Sequence, residues 1–247
     1  MNLDFVEALH LTQQIGVLLK NHPVEHTDVV IAPPFVDLRS VSSILDAERL
    51  AVSLGAQHVN PHDNGAHTGE VSVSMLQRLG VAWVIVGHSE RRTQYAMSDE
   101  IVAATLSSVV HAGLHAVLCV GESLELRTAN EHEAFVAEQL RRALGGLEER
   151  YHEFVTVAYE PLWAIGTGVV ATAEQVSAMT AFVRGVLTKH LVGATRVLYG
   201  GSVNAENAGS LVRESELDGF LVGGASLKAE SFCAIVHAVD DCYAIKR

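Results

Sequence analysis

Along the whole chain, short runs of apolar and β-branched residues alternate with longer stretches in which apolar positions recur every three or four residues. The short runs predict strands at 29–32, 51–55, 83–87, 116–120, 155–159, 196–199 and 220–222. The longer stretches predict helices at 5–19, 36–44, 74–79, 99–112, 130–145, 173–187, 205–212 and 231–240. The strand runs are mostly apolar or β-branched, as expected for strands buried on both faces of a parallel sheet. Alternation of strand and helix from end to end places the helices outside that sheet. The pattern yields seven strands and eight helices and opens on a helix. A closed (β/α)8 barrel needs eight strands. The expected fold is therefore α/β, a (β/α)8 barrel with the first β-strand missing from this chain. No linker rich in Pro, Ser or Gly breaks the alternation, so residues 1–247 read as a single domain.

Composition narrows the possible functions. With 49% of residues apolar and 19% charged, the chain is ordinary globular material. Its net charge of −12, with no cluster of Lys or Arg, argues against a nucleic-acid partner. An anionic small substrate stays open, because backbone amides at helix N-termini hold phosphate without net positive charge. The three cysteines, Cys119, Cys233 and Cys242, are widely spaced without metal-type pairing, which fits a reducing, cytoplasmic setting. No signal peptide and no run of eighteen apolar residues is visible, so a soluble protein without a membrane partner is expected.

The chemistry concentrates where predicted strands end, and the loops there are longest at 57–70 and 161–171. The strand at 155–159 delivers Glu160, and Pro161 stops it at once. Leu162, Trp163 and Ile165 follow, then Gly166 and Gly168. Such an apolar loop is costly in water and suits a lid that excludes water from a carboxylate acting as general base. A strand-end glutamate paired with a neighbouring cation is the plainer alternative. After 83–87, His88 stands at a strand end with Ser89 opening the next turn, in position to polarise a carbonyl or shuttle a proton. Glu90, Arg91 and Arg92 beside it read as structural, with Glu90 and one arginine as an ion pair. Gly200-Gly201-Ser202 and Gly223-Gly224 end the last two strands, where (β/α)8 enzymes commonly bind phosphate. A single Gly-Gly step is most often only a tight turn; two after consecutive strands are more specific. The loop at 57–70, with Thr68 near its end, is either an arm for self-association or plain surface.

Taken in order, these segments resemble triosephosphate isomerase over essentially the whole chain, most densely at 87–92, 158–168, 199–202 and 221–227. The resemblance implies a TIM barrel and an aldose–ketose isomerase of glycolysis and gluconeogenesis. Glu160 would move a proton between the carbons of dihydroxyacetone phosphate and glyceraldehyde 3-phosphate, with neutral His88 polarising the carbonyl; that pairing is a known example of tuned acid–base chemistry. It assigns phosphate binding to Gly166, Ser202, Gly223 and Gly224, and supporting roles to Glu90 and Cys119. It implies no metal and no organic cofactor. It also implies a homodimer, with the arm at 57–70 carrying Thr68 toward the partner's site. A sugar-phosphate epimerase fits less well, because such barrels do not share this lid.

One departure stands out. Family members open on a strand ending in Asn-x-Lys-Met-Asn, whose lysine faces the substrate, whereas this chain begins Met1-Asn2-Leu3. Lys20, at the far end of the first helix, is not placed to replace that lysine. The expectation is that the gene product starts upstream of Met1 or that the truncation is real. The chain as given would then be a strongly impaired isomerase, the alternative being a non-catalytic dimeric barrel that has lost the catalytic lysine. The hinge at 169–171 also lacks the lysine common at its first position, and two β-branched residues there are expected to stiffen closure.

Overall fold

A computed structural model of the chain describes residues 1–165, 171–191 and 193–245. Seven parallel strands form one sheet in sequence order: β1 (Val30–Ile31), β2 (Ser53–Ala56), β3 (Trp83–Val86), β4 (His115–Val120), β5 (Val155–Tyr159), β6 (Val197–Tyr199) and β7 (Gly219–Phe220). The registers place Trp83 opposite His115, Cys119 opposite Ala158, and Tyr159 opposite Tyr199. Among the described residues, β1 pairs only with β2 and β7 only with β6. The curl is thus open between the first and last strands, as the strand pattern predicted.

Among the described residues ten α-helices surround it: α1 (Phe5–Asn21), α2 (Leu38–Glu48), α3 (Val73–Arg78), α4 (Ser89–Gln94), α5 (Asp99–His111), α6 (Leu124–Thr128), α7 (His132–Leu144), α8 (Ala173–Leu187), α9 (Ala205–Ser215) and α10 (Ala229–Ile245). All eight predicted helices have counterparts; α4 and α6 are additional and are one turn or so long. Starts are set by capping. Asp4, Thr172 and Asn204 each build a capping box, accepting from backbone N–H groups of the first turn while the third residue reaches back.

Side chains alternate across the sheet, so each strand feeds two cores. Outward-facing Val84, Val86, Leu118, Val157 and Tyr159 pack beneath helices through Val102, Leu106, Leu140, Met179 and Val183, all fully or almost fully buried. The inward-facing core is smaller. Val117, Cys119 and Ala158 are buried there, while Trp83, Ile85, Leu198 and Leu221 are only partly covered. Behind the opening, α1 packs against α10. Ile15, Leu19, Phe232, Cys233 and Val236 form a core there that reaches Val29 and Ile31 at one sheet edge and Val222 beyond the other. The helical layer therefore continues where the sheet does not. At the N-terminal mouth of the strands, the Trp83 and His115 rings stack 4.5 Å apart in the wall of a cavity of about 530 Å³.

Candidate active site

Glu160 follows β5, and its backbone N–H still donates to Val120 O at 2.8 Å, so the residue is held by the sheet although the strand ends there. Its side chain is 2% exposed. Oε2 accepts from Ser89 N at 2.9 Å, and Oε1 lies 2.9 Å from His88 Nε2. Two glycines make room. A Cβ at Gly200 would stand 2.8 Å from Glu160 Cγ, and one at Gly121 would fall on the Glu160 carbonyl oxygen.

His88 is the N-cap of α4, and its Nδ1 accepts the Glu90 backbone N–H at 3.3 Å. A ring nitrogen that accepts a hydrogen bond carries no proton, so in the neutral ring the proton is on Nε2, toward Glu160. Burial disfavours the imidazolium; the hydrogen bond to Glu160 and the charges of Glu160 and Glu90 outweigh it and raise the His88 pKa above its ordinary value. The Glu90 amide is the counterweight, since charging the ring costs that contact. Glu90 thus supports His88 mainly through its main chain; its carboxylate is largely exposed and 3.9 Å from Nδ1.

Cys119 lines the inner core beside Glu160. Burial first, and then the neighbouring carboxylate, push its thiol well above the usual range, so it remains protonated. Ser202 donates to Ala164 O at 3.0 Å, tying the end of β6 to the base of the 161–171 segment. At Gly223 and Gly224 an added Cβ would meet nothing within 4 Å, and their backbone borders open space. Thr68 is exposed in the 57–70 loop. Gly166, together with Gly168, Val169 and Val170 of the lid and hinge, lies outside the described residues. Lys20 is committed to Glu48 on α2 at 3.1 Å.

The ion pair expected of Glu90 with Arg91 or Arg92 does not form. Arg92 pairs instead with Asp99 at 2.6 Å, and Arg91 lies over the Tyr95 ring at 4.4 Å. The first turn of α4 explains this: Glu90 points to solvent beside His88, while Arg92 turns inward toward the start of α5.

Sequence reasoning passed over Glu122. This carboxylate follows β4 as Glu160 follows β5, and it is fully buried. Its Oε1 accepts from Arg127 at 3.0 Å, Tyr159 Oη at 3.0 Å and Trp163 Nε1 at 2.9 Å. The indole at the base of the lid segment is therefore anchored to a buried anion. The same strand-end criterion that selected Glu160, with Arg127 five residues on, would have found it.

The family model for triosephosphate isomerase matches residues 1–239. The chain is 44% identical over 239 residues to the triosephosphate isomerase of Rhodococcus jostii (strain RHA1), covering 95% of this chain and 92% of that protein. It is 45% identical, with the same coverage, to that of Mycobacterium bovis (strain ATCC BAA-935 / AF2122/97), and 43% identical to that of Corynebacterium glutamicum. The seven-stranded parallel curl, its ring of helices and this match together place the chain in the triosephosphate isomerase family.

Proposed function

We propose that this chain interconverts dihydroxyacetone phosphate and D-glyceraldehyde 3-phosphate through an enediolate, with Glu160 as the base and His88 as the electrophile. The reading rests on the Glu160–His88 contact at 2.9 Å, with Nδ1 occupied by a backbone amide. Glu160 is buried beside the imidazole, and a site that excludes water suits a carboxylate that takes a proton from carbon. His88 has one N–H to give; it faces Glu160, and a substrate oxygen entering between the two side chains would take it over. An N–H fixed before the reaction stabilises developing oxyanion charge without reorganisation. Ser202, Gly223 and Gly224, with Gly166, would hold the phosphate by backbone N–H groups, and Cys119 and Glu90 would keep the two reacting groups in place.

We further propose a cytoplasmic homodimer in which residues 1–247 act as one domain. Val36, Met75 and Tyr95 are 84%, 55% and 60% exposed. They follow three consecutive strands, on the flank that carries the 57–70 loop, and exposed apolar side chains grouped in this way mark an interface. Among the described residues no helix is long and apolar enough to cross a membrane.

The test is exchange. Incubating dihydroxyacetone phosphate with the purified chain in D2O should place deuterium on carbon 1 and in the aldose product, and Glu160→Gln should abolish it. Binding of a triose phosphate without exchange would establish the non-catalytic reading instead.

A further inference from the structure

We propose that Arg92 is a positioning residue that fixes the Glu160–His88 geometry through two backbone carbonyls. Its guanidinium spans the end of β3, which leads into His88, and β4, the neighbour to which the Glu160 backbone is hydrogen-bonded. Nε donates to Gly87 O at 2.8 Å and Nη2 to Cys119 O at 3.3 Å, while Nη1 is held by Asp99 Oδ1 at 2.6 Å. Gly87 is the residue immediately before His88, so the first bond fixes the peptide from which the imidazole departs. Cys119 faces Ala158 across the β4–β5 register, and the next carbonyl, Val120 O, accepts the Glu160 N–H. The second bond thus fixes the strand on which Glu160 hangs.

The local sequence is built for this contact. Gly87 takes φ +69°, and a Cβ there would press on Val102 at 2.9 Å and on the Arg92 guanidinium at 3.2 Å. Only glycine lets the chain turn there with the carbonyl facing the arginine. Asp99, in the first turn of α5 behind its Ser98 cap, is the counter-charge that keeps the fork oriented. Arginine suits this place because one planar group carries donors in three fixed directions; the lysine ammonium is a point charge and would satisfy fewer of them. Arg92 also lines a cavity of about 410 Å³, together with Glu160, Ser89 and Gln139. Gln139 accepts the Gly121 N–H at 2.9 Å, so the same wall restrains the glycine packed on the Glu160 carbonyl. No part of Arg92 touches the reacting groups, and its effect travels through the main chain alone.

The inference builds on the isomerase reading, but its test does not depend on turnover. The full chain is labelled with 15N-histidine, His88 is assigned by the signal lost in His88→Gln, and the ring shifts are compared in wild type, Arg92→Gln, Arg92→Lys and Asp99→Asn. Wild type should show a bare Nδ1 and a protonated Nε2. Arg92→Gln should bring the two shifts toward their tautomer average, with Arg92→Lys and Asp99→Asn between. Where exchange is measurable, kcat should fall about 10- to 100-fold in Arg92→Gln with KM little changed, the expected cost of displacing a catalytic group by around an ångström. An Arg92→Gln protein that melts earlier while keeping the wild-type His88 shifts would overturn the proposal and leave Arg92 a structural ion pair. Absence of exchange in wild type with the predicted shift changes intact would count against the isomerase reading alone.

Discussion

Tyr159 and Trp163 donate to the same carboxylate oxygen of Glu122, one from the last residue of β5 and the other from the base of the lid segment. The end of β5 and the start of the segment that follows Pro161 therefore share an anchor, and Glu160 stands between them in sequence. Arg127 supplies the neutralising charge and also lies 5.2 Å from the Trp163 ring. Removing the anion should strand three donors at once, one of them the Arg127 cation. Glu122→Ala should cost about 3–5 kcal/mol of unfolding free energy, the usual penalty for breaking a buried ion pair. Trp163→Phe, losing one hydrogen bond, should cost about 1–2 kcal/mol. Urea denaturation of both variants measures the difference, and equal losses would refute the shared-anchor account.

Glycine substitutions should separate damage to the site from damage to the fold. Gly200→Ala presses a methyl group on Glu160 Cγ, a side-chain atom that can move. Exchange should drop about 10- to 100-fold, as for a base displaced by around an ångström, with little change in melting temperature. Gly121→Ala meets the Glu160 backbone carbonyl, which cannot move without disturbing the β4–β5 junction. It should destabilise by about 1–3 kcal/mol or more, as overpacking does. Thermal melts and deuterium exchange on the two proteins should show opposite rankings.

Two histidines should give the stability curve opposite slopes. Burial, reinforced by the charge of Arg91, lowers the His58 pKa despite the nearby Glu70. The unfolded chain then takes up that proton first, and stability is lost as pH falls through the ordinary histidine value of about 6.5 toward the lower folded value. The His88 pKa is raised, so its contribution is complete below about 6.5 and is lost as pH rises through the folded value. Melting temperatures measured from about pH 5 to 8 should fall less steeply on the acid side in His58→Gln. In His88→Gln the decline on the alkaline side should shrink. The reverse assignment of slopes would show that other groups dominate.

Charging the exposed apolar flank should break the proposed dimer without touching the reacting pair. Met75→Lys with Tyr95→Lys adds two cations to residues that already face water, so the fold should tolerate them. Sedimentation should move from a dimer to a monomer. A wild-type monomer at high protein concentration would remove the proposal.

Much of this was legible in the residues. Short apolar or β-branched runs marked all seven strands, because neither face of a parallel strand ringed by helices carries a regular polar alternation to blur them. Glu160 and His88 were legible because strand-end chemistry followed by a proline or preceded by a glycine has few structural uses. The short helices α4 and α6 were not, since one turn is too little for periodicity to show. β1 and β7 each run for two residues rather than three or four, because each lacks an outer neighbour to extend its ladder. The Arg92–Asp99 pair could not be read from spacing: seven residues apart, it depends on how the chain turns between α4 and α5.

The partly covered inner lining gives this protein a built-in optical readout. It has two tryptophans, one in that lining at the strand N-termini and one on the lid anchor at the opposite end. Trp83 emission should shift to the blue when anything completes the curl of the sheet, whereas Trp163 emission should respond to breakage of its bond to Glu122. Single-tryptophan versions would then report closure of the barrel wall and release of Trp163 from its anchor as separate signals, each measurable in a protein that turns over no substrate at all.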